Sequence, residues 1–306
     1  MKWVLILITA IYYNCNAQSV SVSFDDPMVS ETPVFTWQKR NQEILTALAK
    51  HNITSTLFVC GHRVNNVNGK ALVASWNKAG HEIANHSWSH KYYNSSKWSF
   101  DFLKGDFLRC DSLIKNYSNY TKRFRFPYLK EGETQEKRDS MRVFMKETGY
   151  TNGYVSIDAS DWYFDARLID TLKKNPLADI TPFREAYIAH IVDRCNYYDS
   201  LSTALTGRQV HHVLLLHHNL LNALFLDALL RELEKQKWQL ENTKQAYTDA
   251  IYTKMPNIVP AGESIIWSLA KESDRFEKVL RYPAEDGEYE KKQLNAYLKQ
   301  ETQRKK

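Results

Sequence analysis

Residues 19–27 read Ser19-Val-Ser-Val-Ser-Phe-Asp-Asp-Pro27. Val20, Val22 and Phe24 alternate with serines, the period-2 pattern of a β-strand. The strand runs out into two carboxylates, Asp25 and Asp26. Pro27 has no N–H to give to a ladder and stops it there. Working outward, strand and helix patterns alternate. Residues 38–50 place Ile44, Leu45, Leu48 and Ala49 at helical spacing, and residues 53–59 are β-branched and apolar up to Gly61. Residues 70–78 read as a helix closed by Gly80, and 81–84 as a short strand. A helix at 100–114, a strand at 124–126 stopped by Pro127, a helix at 133–148 closed by Gly149 and a strand at 154–157 follow. Residues 164–206 read as mainly helical. An apolar strand at 212–216, a strong helix at 221–236 and a short strand at 238–240 complete the series. Six or seven such units point to parallel βα pairing and a closed or nearly closed barrel.

Composition agrees with a globular chain. Of 306 residues, 43% are apolar and 25% charged, with only 10 Gly and 8 Pro, which excludes collagen-like and low-complexity architectures. Aromatics reach 13%, enough for a large core with rings left over for ligand stacking. Met1-Lys2 is followed by eleven mostly apolar residues from Trp3 to Tyr13, too few to span a membrane and suited to an export signal. Cys15-Asn16-Ala17 offers small residues at the positions a signal peptidase reads. Residues 1–17 are therefore expected to be a cleavable signal, leaving a secreted or periplasmic bacterial protein with no stable membrane insertion. The net charge of +6 falls to +5 once Lys2 is removed. The charges are scattered, so no basic stripe for nucleic acid stands out. Cys60, Cys110 and Cys195 would remain, none at metal-site spacing, and their pairing, like the oligomeric state, is not readable from the sequence.

Five of the inferred strands end in polar clusters: Asp25-Asp26, His86 to His90, Arg125 to Tyr128, Asp158 to Trp162, and His217-His218. In a parallel α/β barrel all strand C-termini open on one face, the face that carries active sites. His86 and His90, four apart, can reach one cation from a helical turn or tight loop, and imidazole suits zinc and other first-row metals. The pattern lacks the glutamate of an H-E-x-x-H metalloprotease helix, since Ser87 follows His86. Asp25 and Asp26 point in opposite directions on an extended chain, so one can ligate metal while the other faces substrate. Arg125 calls for a buried carboxylate partner, and the Tyr128 amide can face a developing oxyanion. His217, at a strand end, is a candidate general acid with Asp161 to hold it, and His218 is the alternative.

These clusters, in this order, resemble the polysaccharide deacetylases of carbohydrate esterase family 4. The resemblance covers residues 19–245 and joins Asp25-Asp26, His86-Ser-Trp-Ser-His90, Arg125-Phe-Pro-Tyr128, Asp158-Ala-Ser-Asp161-Trp162 and Leu215-Leu-His217. It implies a distorted (β/α)7 barrel with a C-terminal helical and loop extension. It also implies a metal triad of Asp26, His86 and His90, with Asp25 as base and Arg125 as its brace. His217 is then the acid, tuned by Asp161, and the Tyr128 amide an oxyanion donor. Trp162 and Leu215 wall the acetyl pocket, and Ser87 braces the histidine loop. One divalent ion is implied, zinc by default, with cobalt, nickel or manganese as substitutes. The implied reaction is metal-dependent removal of acetyl groups from N-acetylated amino sugars in a chitin-like or peptidoglycan-like glycan. An O-acetyl esterase of the xylan type and an inactive carbohydrate-binding barrel are the alternatives. The chain departs from the family at Pro27, where glycine is usual, and in the 55 residues between Asp161 and His217. The expected organisation is a signal at 1–17, a catalytic domain at 18–249 with a helical insert at about 164–206, and an extension at 250–306 packing on the barrel.

Overall fold

Seven parallel strands make one curled sheet in the computed structural model, which describes residues 18–281, 283 and 287–304. The expected signal at residues 1–17 lies outside the described residues. In chain order the elements are β1 (Ser19–Asp25), α1 (Trp37–Lys50), β2 (Thr56–Val59), α2 (Gly61–Val64), α3 (Val67–Lys78), β3 (Glu82–Asn85), α4 (Phe100–Ile114) and β4 (Tyr120–Phe124). Then come β5 (Lys130–Gly132), α5 (Gln135–Glu147), β6 (Thr151–Asn152), α6 (Asp161–Lys174), α7 (Thr181–Thr206), β7 (His211–His217) and α8 (Leu220–Lys235). β8 (Gln239–Leu240), α9 (Thr243–Ala246), β9 (Ala261–Gly262), α10 (Ile265–Glu272) and α11 (Glu288–Arg304) end the chain.

The sheet runs β6-β4-β3-β2-β1-β7, with β8 also on β1. One segment joins its two ends. β6 pairs with β4, and five residues later Ile157 bridges Leu214 of β7, accepting from the Leu215 N–H at 3.0 Å. The ring therefore closes through a single irregular segment, which is the distortion of this (β/α)7 barrel.

β1 is buried on both faces. Its apolar face lies under the helices, with Phe24 against Trp76 of α3 at 5.4 Å. Its serine face bonds inside the ring: Ser21 and Ser23 donate to carbonyls of β7, and Ser23 accepts from Arg125. The helices begin where short polar side chains cap free N–H groups, as Thr36, Asn66, Ser99, Thr134 and Asn219 do.

Two expectations shift. The strand expected at 124–126 lies at 120–124, because Tyr120 pairs with Ile83 and the amphipathic Thr-Lys-Arg stretch hides the strand from an apolar count. The strand expected at 154–157 is replaced by β6 at 151–152 and a lone bridge at Ile157, because that segment crosses between two ladders. The 164–206 region is mainly helical as expected, formed by α6 and the 26-residue α7. The β5–β9 antiparallel pair had no sequence signal: each strand has two or three residues. Beyond β8 the chain stays on the barrel, with Ile265, Ile266, Ala270 and Leu294 in its main core. Among the described residues no helix is long and apolar enough to cross a membrane.

Candidate active site

The C-terminal ends of the strands open on a cleft of about 540 Å³ lined by Asp25, Asp26, His86, His90, Tyr128, Trp162, Leu215 and His217. Every metal and substrate residue expected from the sequence lines it. Arg125 and Asp161 lie just behind, both fully buried.

Asp26 does not continue the extended strand. Its φ is +59°, so the chain turns and both carboxylates face the cleft, where the sequence reading had them diverge. The physical reason is Pro27, which ends the ladder and leaves Asp26 to make the turn. Ser87, His90, Tyr128 and Leu129 also have positive φ, between 54° and 65°. Five such non-glycine residues at one cleft are stored backbone strain, which persists only where surrounding structure over-determines it.

The 86–90 segment is accordingly a tight loop. The Trp88 and Ser89 N–H groups donate to Asp106 at 2.9 Å each, and the His90 N–H donates to Ser87 Oγ at 3.0 Å. One ligand atom from each of Asp26, His86 and His90 lies within 4.8 Å of the others. His86 Nδ1 sits 2.8 Å from the Arg125 carbonyl, so Nδ1 carries the hydrogen and Nε2 presents a lone pair to the triad. His90 Nε2 lies 3.2 Å from Asp26 Oδ2. Burial holds His86 well below the usual imidazole range and His90 down to about 4, so both rings are neutral, the ligating form. Burial works to raise Asp26, but the positive charge around it, from His90 and His86 whenever they are protonated and from Arg63 and His217, outweighs it and keeps the carboxyl below its ordinary value. Asp26 Oδ1 is buried with no hydrogen-bond partner. A buried carboxylate oxygen without a donor is costly unless a cation takes it. The donor set and that oxygen fit a divalent first-row ion.

Asp25 is held from behind. Arg125 Nη1 donates to its Oδ1 at 2.5 Å, while Oδ2 lies 3.5 Å from His86 Nε2, on the triad side. Arg125 is fixed in turn by Gly153 O, Ser23 Oγ and the Tyr247 hydroxyl at 2.8–3.0 Å. Its guanidinium lies 3.7 Å from the Phe58 ring centroid. Burial pushes the Asp25 carboxyl up to about 6, with Arg125 pulling the other way.

Across the cleft, His217 Nδ1 donates to Asp161 Oδ1 at 2.7 Å. Asp161 Oδ2 accepts from the His217 N–H, Asn219 Nδ2 and Asn222 Nδ2 at 2.7–2.9 Å. Burial opposes a charged ring, but the Asp161 carboxylate and its hydrogen bond prevail and His217 is raised to about 9. His218 is the weaker candidate acid. It packs on Trp76 with Nε2 3.2 Å from Asn41 Oδ1, and burial lowers it to about 3.

The structure adds Met28, Arg63, Tyr92, Leu129 and Asp165 to the cleft. Arg63 Nη2 is 3.4 Å from Asp26 Oδ2. Tyr92 packs on Tyr128 at 5.5 Å, and Tyr128 on His90 at 4.6 Å, giving an aromatic rim. Only Tyr92 had a hint in the sequence, lying two residues past His90. Cys60, Cys110 and Cys195 are buried free thiols.

Residues 13–153 match the family model described as polysaccharide deacetylase. A bifunctional xylanase/deacetylase from Pseudobutyrivibrio xylanivorans is 29% identical over 120 residues, 39% of this chain, and the chain spans 18% of that curated relative's length. Among solved structures, a mutant of a CE4 family pseudoenzyme superposes with a TM-score of 0.52 at 17% identity, over 76% of this chain and 67% of that one. The wild type of that pseudoenzyme is from Bacillus anthracis. The Bc1960 peptidoglycan N-acetylglucosamine deacetylase gives 0.51 at 18% identity, over 76% of this chain and 88% of that one. These likenesses show the fold. Residues 13–153 thus match a polysaccharide deacetylase family model, and the chain shares the fold of solved carbohydrate esterase family 4 structures.

Proposed function

We propose that this protein is a metal-dependent hydrolase that removes acetyl groups from N-acetylated amino sugars in a glycan. One observation carries the reading. The Asp26–His86–His90 triad lies in the same cleft as a carboxylate clamped by arginine and a histidine clamped by aspartate. When bound, a divalent ion supplies Lewis acidity toward a carbonyl and lowers the pKa of water. Asp26 and the two Nε2 atoms would hold it. Asp25, its Oδ1 held by Arg125, takes the proton of the attacking water at Oδ2. His217, cationic below about pH 9, gives its Nε2 proton to the departing amine. The Tyr128 amide faces the developing oxyanion, Trp162 and Leu215 enclose the acetyl methyl, and Tyr92 and Tyr128 offer ring faces to a sugar.

The xylanase/deacetylase relative favours a second reading, an O-acetyl esterase on a xylan-type polymer. The same groups serve it, because amide and ester cleavage share a tetrahedral intermediate. The pseudoenzyme neighbour raises a third, a barrel that only binds, but this chain keeps every residue proposed here as base, acid and metal ligand. The test is acetate release from chito-oligosaccharides, peptidoglycan fragments and acetylated xylan, with and without chelator, beside Asp25→Asn. Chelator-sensitive release from an N-acetyl substrate, lost in the variant, is expected. Release from xylan alone establishes the esterase reading. Silence on every substrate by the metal-loaded protein overturns the catalytic one.

A further inference from the structure

We propose that the chain beyond β8 is a clasp that positions the catalytic groups, through Tyr247 on Arg125, Gly262-Glu263 on the Tyr128 turn, and Glu290 on the residue before Asp161. The inference goes beyond the proposed reaction and rests on that reading for what the positioned groups do. The family match ends at residue 153, so every clasp residue lies outside it.

The first contact is the Tyr247 hydroxyl. It accepts from Arg125 Nη2 at 3.0 Å and donates to the Tyr154 carbonyl at 3.0 Å, while the Arg123 guanidinium lies 3.7 Å from its ring centroid. It thereby supplies one of the four partners that aim Arg125 at Asp25.

The second contact is β9. Gly262 pairs with Lys130 of β5, and the Glu263 N–H donates to the Leu129 carbonyl at 3.0 Å. Tyr128 and Leu129 both have positive φ, so the turn is held in a conformation it would not keep alone. Gly262 has φ +131°, and a Cβ there would sit 2.2 Å from the Leu129 carbonyl oxygen. A glycine is required for β9 to come this close.

The third contact is Glu290 of α11, 1% exposed. Its Oε1 accepts from Ser160 Oγ at 2.7 Å and from Arg194 Nη2 of α7 at 3.2 Å. Ser160 precedes Asp161 and opens α6, so a buried, charge-paired acceptor fixes the turn that holds Asp161 and Trp162. Between these contacts, Ser264 Oγ donates to Ser156 O at 3.2 Å and the Ile265 N–H to Val155 O at 2.8 Å. The clasp thus also grips the segment that closes the barrel.

The test compares the full chain with Tyr247→Phe, Gly262→Ala and Glu290→Gln. Hydrogen exchange at residues 125–132 and 155–164, metal content, kcat and KM are measured for each. The clasp predicts faster exchange in the catalytic loop each variant touches, retained metal, KM within about twofold and kcat lower by about tenfold or more. Exchange that rises only within residues 250–304, or a lowered Tm with unchanged kcat, overturns it by reducing the segment to a stabilising tail. Should Gly262→Ala fail to fold, the two near-isosteric variants decide. If the wild-type protein releases no acetate, the proposed reaction fails while loop exchange still judges the clasp.

Discussion

Replacing Asp161 by asparagine isolates what sets the charge of His217. In the native protein the ring is raised to about 9 against the opposition of burial, because the Asp161 carboxylate lies 2.7 Å from Nδ1. At pH 7.5 a group of pKa about 9 is about 97% protonated, whereas an ordinary imidazole near 6.5 is about 9% protonated. The introduced carboxamide would keep its oxygen toward the three donors that Oδ2 now serves and turn its NH2 toward His217 Nδ1. The ring must then accept at Nδ1, and burial acts on it against only the charges of Asp25 and Asp26. The supply of cationic acid at pH 7.5 should fall about tenfold or more, and the alkaline limb of acetate release should move from near 9 toward 6.5 or lower. The same change has a stability sign. A histidine whose folded pKa is raised contributes stability that is complete below its unfolded value and is lost as pH rises through 9. The gap from 6.5 to 9 corresponds to about 3 kcal/mol, so part of the variant's deficit should disappear between those pH values. The assays are a pH–rate profile of acetate release and an imidazole nitrogen titration of His217 by NMR, which needs no turnover. An Asp161→Asn protein whose His217 still titrates near 9 would refute the reasoning.

Three further outcomes are expected. His86→Ala removes a triad ligand whose tautomer is set by the Arg125 carbonyl, and elemental analysis should show metal lost after dialysis; undiminished content removes His86 from the ligand set. Arg63→Met removes a cation 3.4 Å from Asp26 that competes with a metal for that carboxylate, so divalent-ion affinity by calorimetry should rise, by up to about tenfold for this partly exposed pair. Weaker binding would mean that Arg63 orients Asp26 instead. Leu214→Ala empties a fully buried site in β7 at the point where the barrel closes, and urea unfolding should show a loss of about 2–5 kcal/mol; a loss below about 1 kcal/mol would mean the closing segment at Ile157 collapses into the space.

The parts legible beforehand share a physical basis. Strand ends announce themselves because an apolar run must stop where the ladder stops, and parallel pairing sends every end to one face. Asp25, His86, His90, Arg125 and His217 were visible for that reason. Arg63, Asp165 and Met28 were not, because they carry no periodicity and reach the cleft only through how α2, α6 and the loop after Asp26 lie on the ring. The divergence expected of Asp25 and Asp26 failed because alternation holds only while the chain stays extended, and Asp26 turns at φ +59°. The β5–β9 pair was invisible because its residues have no partner until a segment more than a hundred positions away arrives.

By itself, then, the sequence determined the alternation of strand and helix, the five polar strand ends and the residue types that can hold a cation, move a proton and steady both. These depend on local hydrophobic period, on proline and glycine stops, and on side-chain chemistry. Only the tertiary structure decided the charge and aim of those groups. The neutral triad histidines, the raised His217 and the clamp on Asp25 depend on burial and on partners supplied by distant elements. Such partners are brought together by packing, which long-range contacts set and local sequence does not encode.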